Sequence, residues 1–553
     1  MKYFKKLVIG CLALSPIGVF AQNPFGIEEN DTSTTRDIYG YDSRREAKQY
    51  DYNGYTKAVM TSMNAADFSG DKVVGLTLEG ALKNYFKVDD VHSTVRFKEQ
   101  PAIGGCTGFL IAPNIMVTAG HCISGDPHKI NNDKVLSHTP YSNKYGQFTY
   151  SSKKWVLDYT NDIKMTQKYH EKYGNYYVAQ IPTSKQYKIK TVLTSVLDNK
   201  ADLDYAVVLL DRETDRDPFR FRTGAKIAKG DGLAMIGTPS GLPLKLSDGA
   251  KVTINSATSW FGTNLDAFGG NSGGPVYNTA GLNMIEGILV RGRVDKGLKG
   301  FYVDSTCNCV KEVRYGNDEA NSVFDDYNIP LQQISTEVQR ITTIPLNIKV
   351  MAIYSNLEYA IRKNNTSRFD KWNIYKWAYN NDTASFLKDA LPGKDPLGVV
   401  ALKNGRTEMF KSMIDLGMKT ELDLGEGKTM LYHAIDKSNL EAVKYILKQG
   451  YDLSMSDDQK NTPLHWAVKK GDINIVKEII KNGADLNKKN SNGETVLHLA
   501  VGQWSFSLIQ TLVQNGANAK ITDSSGKTPS KKAKAIKFKD AAKYLKKAEK
   551  GKL

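Results

Sequence analysis

A chain of 553 residues is more than one hydrophobic core can organise, and three or four units are expected. With 41% hydrophobic and 24% charged residues it has the composition of a protein that buries a core, which excludes a disordered chain, and no stretch beyond the first twenty-odd residues is apolar enough to be a transmembrane segment. The formal net charge of +16 is concentrated at one end: residues 520–553 hold twelve lysines against Asp523, Asp540 and Glu549, so no specific nucleic acid partner is expected. That tail reads as a solvated helix face, with binding to acidic surfaces or membranes as the alternative.

At the N-terminus Lys2, Lys5 and Lys6 precede an apolar run from Leu7 to Phe20, with Val19 and Ala21 small enough for signal-peptidase cleavage. Residues 1–21 therefore read as a signal peptide, the protein is expected to be exported to the periplasm or secreted, and residues 22–37 form a lead-in or propeptide. Of five cysteines, Cys106, Cys122, Cys307 and Cys309 lie beyond the signal, an even number that an oxidising compartment can pair. With one residue between them, Cys307 and Cys309 form a constrained bridge, remain free, or pair between chains.

Residues 38–315 read as a β-rich domain. Runs such as "GCTGFLIAPNIMVTAGHC", "DYAVVLLD", "GLAMIGTP" and "IEGILVRG" are short, β-branched and bounded by Gly, Pro, Asn or Asp, as strands of a barrel or sandwich are. Helical periodicity is nearly absent. The polar, tyrosine- and lysine-rich stretch from Ser124 to Asp198 reads as surface hairpins and loops.

Three short segments carry chemistry. "GGNSGGP" surrounds Ser272 with glycines, which lets the chain bend sharply and aims the amides of Gly270 and Ser272 at one spot, the arrangement an oxyanion needs. A serine hydroxyl also needs a base. "VTAGHC" puts His121 at the end of an apolar strand, and "DLDYAVVLL" puts Asp204 immediately before another. His92, His128, His138 and His170 sit in less structured surroundings, and Asp202 and Asp211 compete less well with Asp204. The order His, Asp, Ser, with these local words, resembles the chymotrypsin-like (trypsin-fold) serine proteases. The resemblance implies a two-barrel domain, His121 as general base, Asp204 as its orienting partner and Ser272 as nucleophile. It also implies a disulfide between Cys106 and Cys122, whose loop closure contributes about 3 kcal/mol.

Asn271 stands where animal zymogens carry an aspartate, so activation by the usual ion pair is not expected. "GGNSG" and "IYGYDSRRE" at Ile38–Glu46 resemble instead the bacterial glutamyl-endopeptidase branch. Aligned on the serine, Asp266 falls at the base of the specificity pocket, or is a structural turn residue. By the same resemblance Leu289, Val290, Arg291 and Gly292 line the pocket wall, with Leu289 or Val290, depending on the alignment, where glutamyl endopeptidases carry a histidine; strict glutamate specificity is not supported.

Residues 316–394 read as a helical connector or degenerate repeats. Downstream, Thr429, Thr462, Thr495 and Thr528 recur every 33 residues, and Ala401, Ala434, Ala467, Ala500 and Ala533 keep the same step. This period, with "NTPLHWAV" and "GETVLHLAV", resembles ankyrin repeats over 395–553. His465 and His498 then stabilise turns and bind no metal; His433 is one place off register. The fold class expected is an all-β double β-barrel followed by an all-α ankyrin-repeat solenoid. The function expected is an exported serine endopeptidase acting on protein or peptide substrates without a cofactor, the solenoid binding a protein partner. The alternative is a catalytically vestigial protease domain carrying an ankyrin interaction scaffold.

Overall fold

The computed structural model describes residues 45–47, 55–93, 95–124, 153–170, 174–198, 201–265, 269–279, 284–292, 301–312, 336–373 and 394–553. The expected signal peptide and lead-in, His128, His138, Asp266 and most of Ile38–Glu46 lie outside them. The chain divides into two compact units, residues 1–352 and 353–553.

Two β-barrels form the first unit. One sheet runs, in spatial order, through the strands Gln186–Tyr187, Lys153–Leu157, Val59–Asn64, Thr107–Ala112, Ile115–Thr118, Leu203–Leu210 and Ile189–Asp198. Phe109, Leu110, Met116, Val117, Trp155 and Val207 are all fully buried, and since neighbours along a strand point to opposite faces, both faces of this sheet are covered. In the second, Lys245–Ile254, Gly232–Gly237, Pro275–Asn278, Ile285–Gly292, Thr336–Arg340 and Trp260–Thr263 follow one another, and Trp260–Thr263 pairs back onto Lys245–Ile254 to close the ring. Leu233, Phe261, Val276, Leu289 and Val338 fill it. In this second barrel the closing pair satisfies the two strands that would otherwise be edges.

Three features differ from the sequence reading. The stretch Ser124–Asp198, expected as surface hairpins and loops, contains the hairpin Met165–His170 with Gly174–Gln180 but also supplies three strands to the first barrel, and within it Trp155 and Val156 are completely buried. The strand Thr336–Arg340 lies where a helical connector was expected, yet pairs with two strands of the second barrel. Its residues, TEVQR, are all buried despite their polarity, because Gln339 and Arg340 bond to neighbouring backbone and side chains. The helix Leu78–Phe86 was not anticipated; Thr77 caps it by accepting a hydrogen bond from the Gly80 amide, and Leu78, Ala81 and Leu82 place one face in a small core.

Helix pairs make up the second unit. After the helices Leu346–Lys363, across which the division falls, and Thr366–Asn373, the pairs are Leu397–Lys403 with Thr407–Asp415, Met430–Asp436 with Leu440–Lys448, and Pro463–Lys470 with Ile473–Lys481. Val496–Gly502 with Phe506–Gln514 and Pro529–Ala535 with Lys539–Glu549 complete the series. Each pair leaves a turn whose aspartate or asparagine accepts backbone N–H groups, as Asp457 does from Gln459 and Asn461, Asn490 from Asn492 and Glu494, and Asp523 from Ser525 and Lys527. His465 and His498 are fully buried. At each, Nδ1 accepts from the backbone N–H of the threonine that caps its helix, while Nε2 donates to the carbonyl of Glu494 or Lys527 in the following repeat, which requires the neutral Nε2–H tautomer. Tyr432 holds the equivalent place one repeat earlier and packs edge-on against Trp466, which leaves His433 beside the register rather than in it.

Candidate active site

The strands Ile115–Thr118 and Leu203–Leu210 are antiparallel, with Ala206 opposite Thr118. Continuing forward from Thr118 and backward from Ala206 leaves the ladder at the same end, so His121 and Asp204 meet although 83 positions separate them. The Nδ1 of His121 lies 2.7 Å from Asp204 Oδ2, and the His121 backbone N–H donates to Asp204 Oδ1 over 3.0 Å. Both carboxylate oxygens are thus spent on one residue. Asp204 is 2% exposed, and a carboxylate so removed from water requires such partners. Gly120 permits the approach: a Cβ there would collide with the Val196 carbonyl and meet Asp204 Oδ1 at 3.0 Å. The Asp204 amide donates to the side-chain oxygen of Gln339, which is fully buried and itself donates to the Ser259 carbonyl.

Ser272 sits in the loop before the strand Pro275–Asn278 of the second barrel and is brought to the first through its backbone. Its carbonyl accepts from the Thr107 amide at 2.8 Å and lies 3.6 Å from Cys122 Sγ, the residue after His121. The loop is pinned on both sides: Thr107 Oγ1 donates to the Gly270 carbonyl at 2.8 Å, and Thr238 Oγ1 donates to it at 3.1 Å. Gly270 and Gly273 have φ of +101° and +87°, and a Cβ on Gly273 would run into the Thr107 carbonyl and the Thr118 hydroxyl.

The amides of this loop divide into two sets. Gly273 donates to Leu289 and Gly274 to Asn271, whereas the N–H groups of Gly270 and Ser272 donate to no described residue. Their directions follow from peptide planarity. The Gly269 carbonyl accepts from the Ser240 amide and the Asn271 carbonyl from Gly274, so the N–H on the far side of each peptide points away from those bonds. Among the described residues no hydrogen bond joins the Ser272 hydroxyl to the imidazole of His121. In the absence of substrate such a bond is often long and tightens only in the reacting complex.

The Cys106–Cys122 disulfide, with Cα atoms 5.9 Å apart, fastens the start of the strand Thr107–Ala112 to the residue beside His121. A second bridge joins Cys307 to Cys309. Lys153 donates to the Cys122 carbonyl at 2.8 Å, and burial lowers its pKa to about 8, so a cation that can be discharged near neutrality stands behind the histidine loop. Asn271 is 1% exposed and its Oδ1 accepts from no described group; it rests against Gly237, where a Cβ would displace it.

Of the expected pocket residues, Leu289 and Val290 are buried in the strand Ile285–Gly292, and the Leu289 backbone exchanges bonds with Gly273 and Gly274. Arg291 and Gly292 continue that strand opposite Glu337 and Thr336. Among the rival residues, Asp211 pairs with Arg212 and Asp202 adopts a left-handed turn. The residues that sequence reasoning passed over are Gly120, Lys153 and Gln339. The glycine stands in the word "TAGHC" and was within reach; the other two act across distances in sequence that no local pattern marks.

Comparison with known proteins agrees with both halves. Residues 106–283 match the family described as "Trypsin-like peptidase domain", and overlapping segments from 357 to 552 match that described as "Ankyrin repeats (3 copies)". The second match begins well before residue 395, inside the stretch read as a helical connector or degenerate repeats, and favours repeats for its latter part. The "Extracellular metalloprotease" of Bacillus subtilis (strain 168) is 33% identical over 72 residues, which span 12% of this chain and 23% of that protein. The barrels, the matched families and the 33-residue period lead to one statement: the chain carries a trypsin-like peptidase domain followed by ankyrin repeats.

Proposed function

We propose that the protein is an exported serine endopeptidase in which Ser272 attacks the scissile carbonyl, His121 transfers the proton and Asp204 orients the imidazole. The observation that carries this reading is the doubly accepting Asp204, 2.7 Å from His121 Nδ1, which leaves Nε2 as the free ring nitrogen on the histidine that neighbours the serine loop. With Nδ1 protonated and held by the carboxylate, Nε2 is the acceptor, the tautomer a general base requires. The hydroxyl proton passes to Nε2 as the Oγ–carbon bond forms, and the carbonyl oxygen gains a negative charge beside the uncommitted amides of Gly270 and Ser272. Collapse expels the amine, which takes the proton from Nε2 and leaves an acyl-enzyme. Water repeats the cycle and releases the acid.

The name of the Bacillus relative raises a metal. Cys106, His121 and Cys122 bring ligand atoms within 4.8 Å of one another, but the two sulfurs are bonded to each other and Nδ1 is engaged by Asp204. A disulfide offers no thiolate, so these residues do not fit a metal and no step is drawn through one. Export is supported by the disulfides, which persist in oxidising compartments, together with the leader-like composition of residues 1–21. The repeats are read as a binding module for a protein partner.

A fluorophosphonate probe tests the catalytic reading: the full chain is labelled, and Ser272→Ala is not. The missing bond between Ser272 and His121 favours one second reading, a catalytically vestigial domain that serves as a scaffold for the repeats. A well-folded wild type that resists the probe and leaves an unbiased peptide mixture uncut would select it.

A further inference from the structure

The last two repeats carry a surface that the peptidase reading leaves unused. In every helix pair from Leu397 onward, one residue of the turn between the paired helices is left-handed: Gly405, Ser438, Gly471, Trp504 and Lys537, with φ of +66°, +50°, +81°, +54° and +63°. Glycine occupies this region without penalty, whereas a bulky aromatic there is an outlier. Trp504 is nonetheless present, and it is 57% exposed. The residue sits on a strained backbone and leaves more than half of its surface in water.

The ring is also held in place. One face of Trp504 stacks on Phe538 with centroids 5.1 Å apart, and Phe506 braces the stack against Phe538 and Tyr544. Lys537 and Lys539 flank Phe538, and Lys543 and Lys547 continue along the helix Lys539–Glu549; all four are exposed and form no ion pair among the described residues. The apolar side of that helix, Ala541 and Leu545, is already buried within the repeats, so its outward side is cationic. Every cation beyond Arg406 is a lysine.

From this juxtaposition we propose that the C-terminal repeats dock on an anionic lipid surface, with Trp504 entering the headgroup layer and the lysines of the last helix pair lying over the acidic lipids. Indole rings partition into that layer, and lysines near an anionic leaflet add affinity one by one without fixed geometry. Single-stranded nucleic acid is the competing occupant, because a base can stack on an exposed ring. The structure favours lipid on two grounds: one exposed ring makes no track for successive bases, and an arginine-free surface lacks the forked donors with which proteins grip phosphates and base edges.

The test uses the full chain bearing Ser272→Ala and co-sedimentation with vesicles of phosphatidylcholine, alone or with roughly 30% phosphatidylglycerol. The chain is expected to pellet with the anionic vesicles only, and less as salt is raised. Replacing Lys539, Lys543 and Lys547 together by glutamine is expected to weaken partition by about tenfold or more. Trp504→Gly separates docking from folding: relief of the left-handed strain offsets the lost stacking on Phe538, so the repeats melt within about 5 °C of the parent, while vesicle binding falls. Equal pelleting with neutral and anionic vesicles, full binding by Trp504→Gly, or capture of a single-stranded oligonucleotide in place of vesicles would each overturn the proposal.

Discussion

Asp204 spends each of its oxygens on the same histidine, one on the ring and one on the backbone. In Asp204→Asn the amide keeps an oxygen for only one of the two donors. If the oxygen stays with the His121 backbone N–H, the ring faces an NH2 group, and the imidazole is driven to the Nδ1 acceptor tautomer with its proton on Nε2, where it cannot accept from serine. The expected result is a fall in kcat of roughly 10^4-fold, with KM little changed and the thermal midpoint close to wild type; steady-state peptide hydrolysis with parallel melting checks it. Gly120→Ala works differently. Its Cβ presses on the Val196 carbonyl and on Asp204 Oδ1, so both activity and stability drop, the latter by about 1–3 kcal/mol as overpacking does, measurable by urea unfolding.

Two elements hold the histidine end in place, and they differ in how they show in sequence. The Cys106–Cys122 bridge closes a loop of 16 positions that includes the strands delivering His121. Replacing both cysteines by alanine is expected to cost about 3 kcal/mol and to lower the melting of the peptidase unit, while Ser272 remains reactive towards the probe at low temperature. Cysteines, a histidine in "TAGHC" and a serine among glycines are visible because their chemistry demands rare local words. The strand Thr336–Arg340 lacks such a word. Glu337 and Arg340 are 2% and 3% exposed, so TEVQR breaks the apolar alternation that betrays a strand, and only its pairing with two barrel strands explains it. Gln339, which supports Asp204 from that strand, is invisible for the same reason. The strand Ile189–Asp198 was hidden otherwise: the consecutive Lys190 and Thr191 are exposed while the polar Thr194 and Ser195 are buried, and the register shifts at its start disturb the period of two. The repeats were legible because their turns reuse one solution: threonine at the cap in four of them, histidine as a bridge in two, and a buried alanine where helices touch in all five.

At the scale of the whole chain, the shifted groups of the two units lead to an expectation of pH responses of opposite sign. Burial holds the His465 and His498 imidazoles below the ordinary 6.5, while the same residues in an unfolded chain titrate near it. As pH falls through that value the unfolded repeats bind protons that the folded repeats refuse, so stability present above pH 6.5 is lost on acidification. In the peptidase unit burial raises the Asp67 carboxyl from 3.8 to about 6. There the folded state takes up its proton first, so between pH 6 and 3.8 acidification favours folding at that site. Lys153, titrating near 8, has completed its change before this window opens. Calorimetry of the Ser272→Ala chain from about pH 7 to about pH 5 should therefore show the repeat transition moving down while the peptidase transition holds or rises. His465→Gln with His498→Gln is expected to flatten the pH response of the first alone, and a disulfide reductant to lower the second alone. A single transition that follows both perturbations together would mean that the units unfold as one body, and the assignment of either response to its own residues would fall.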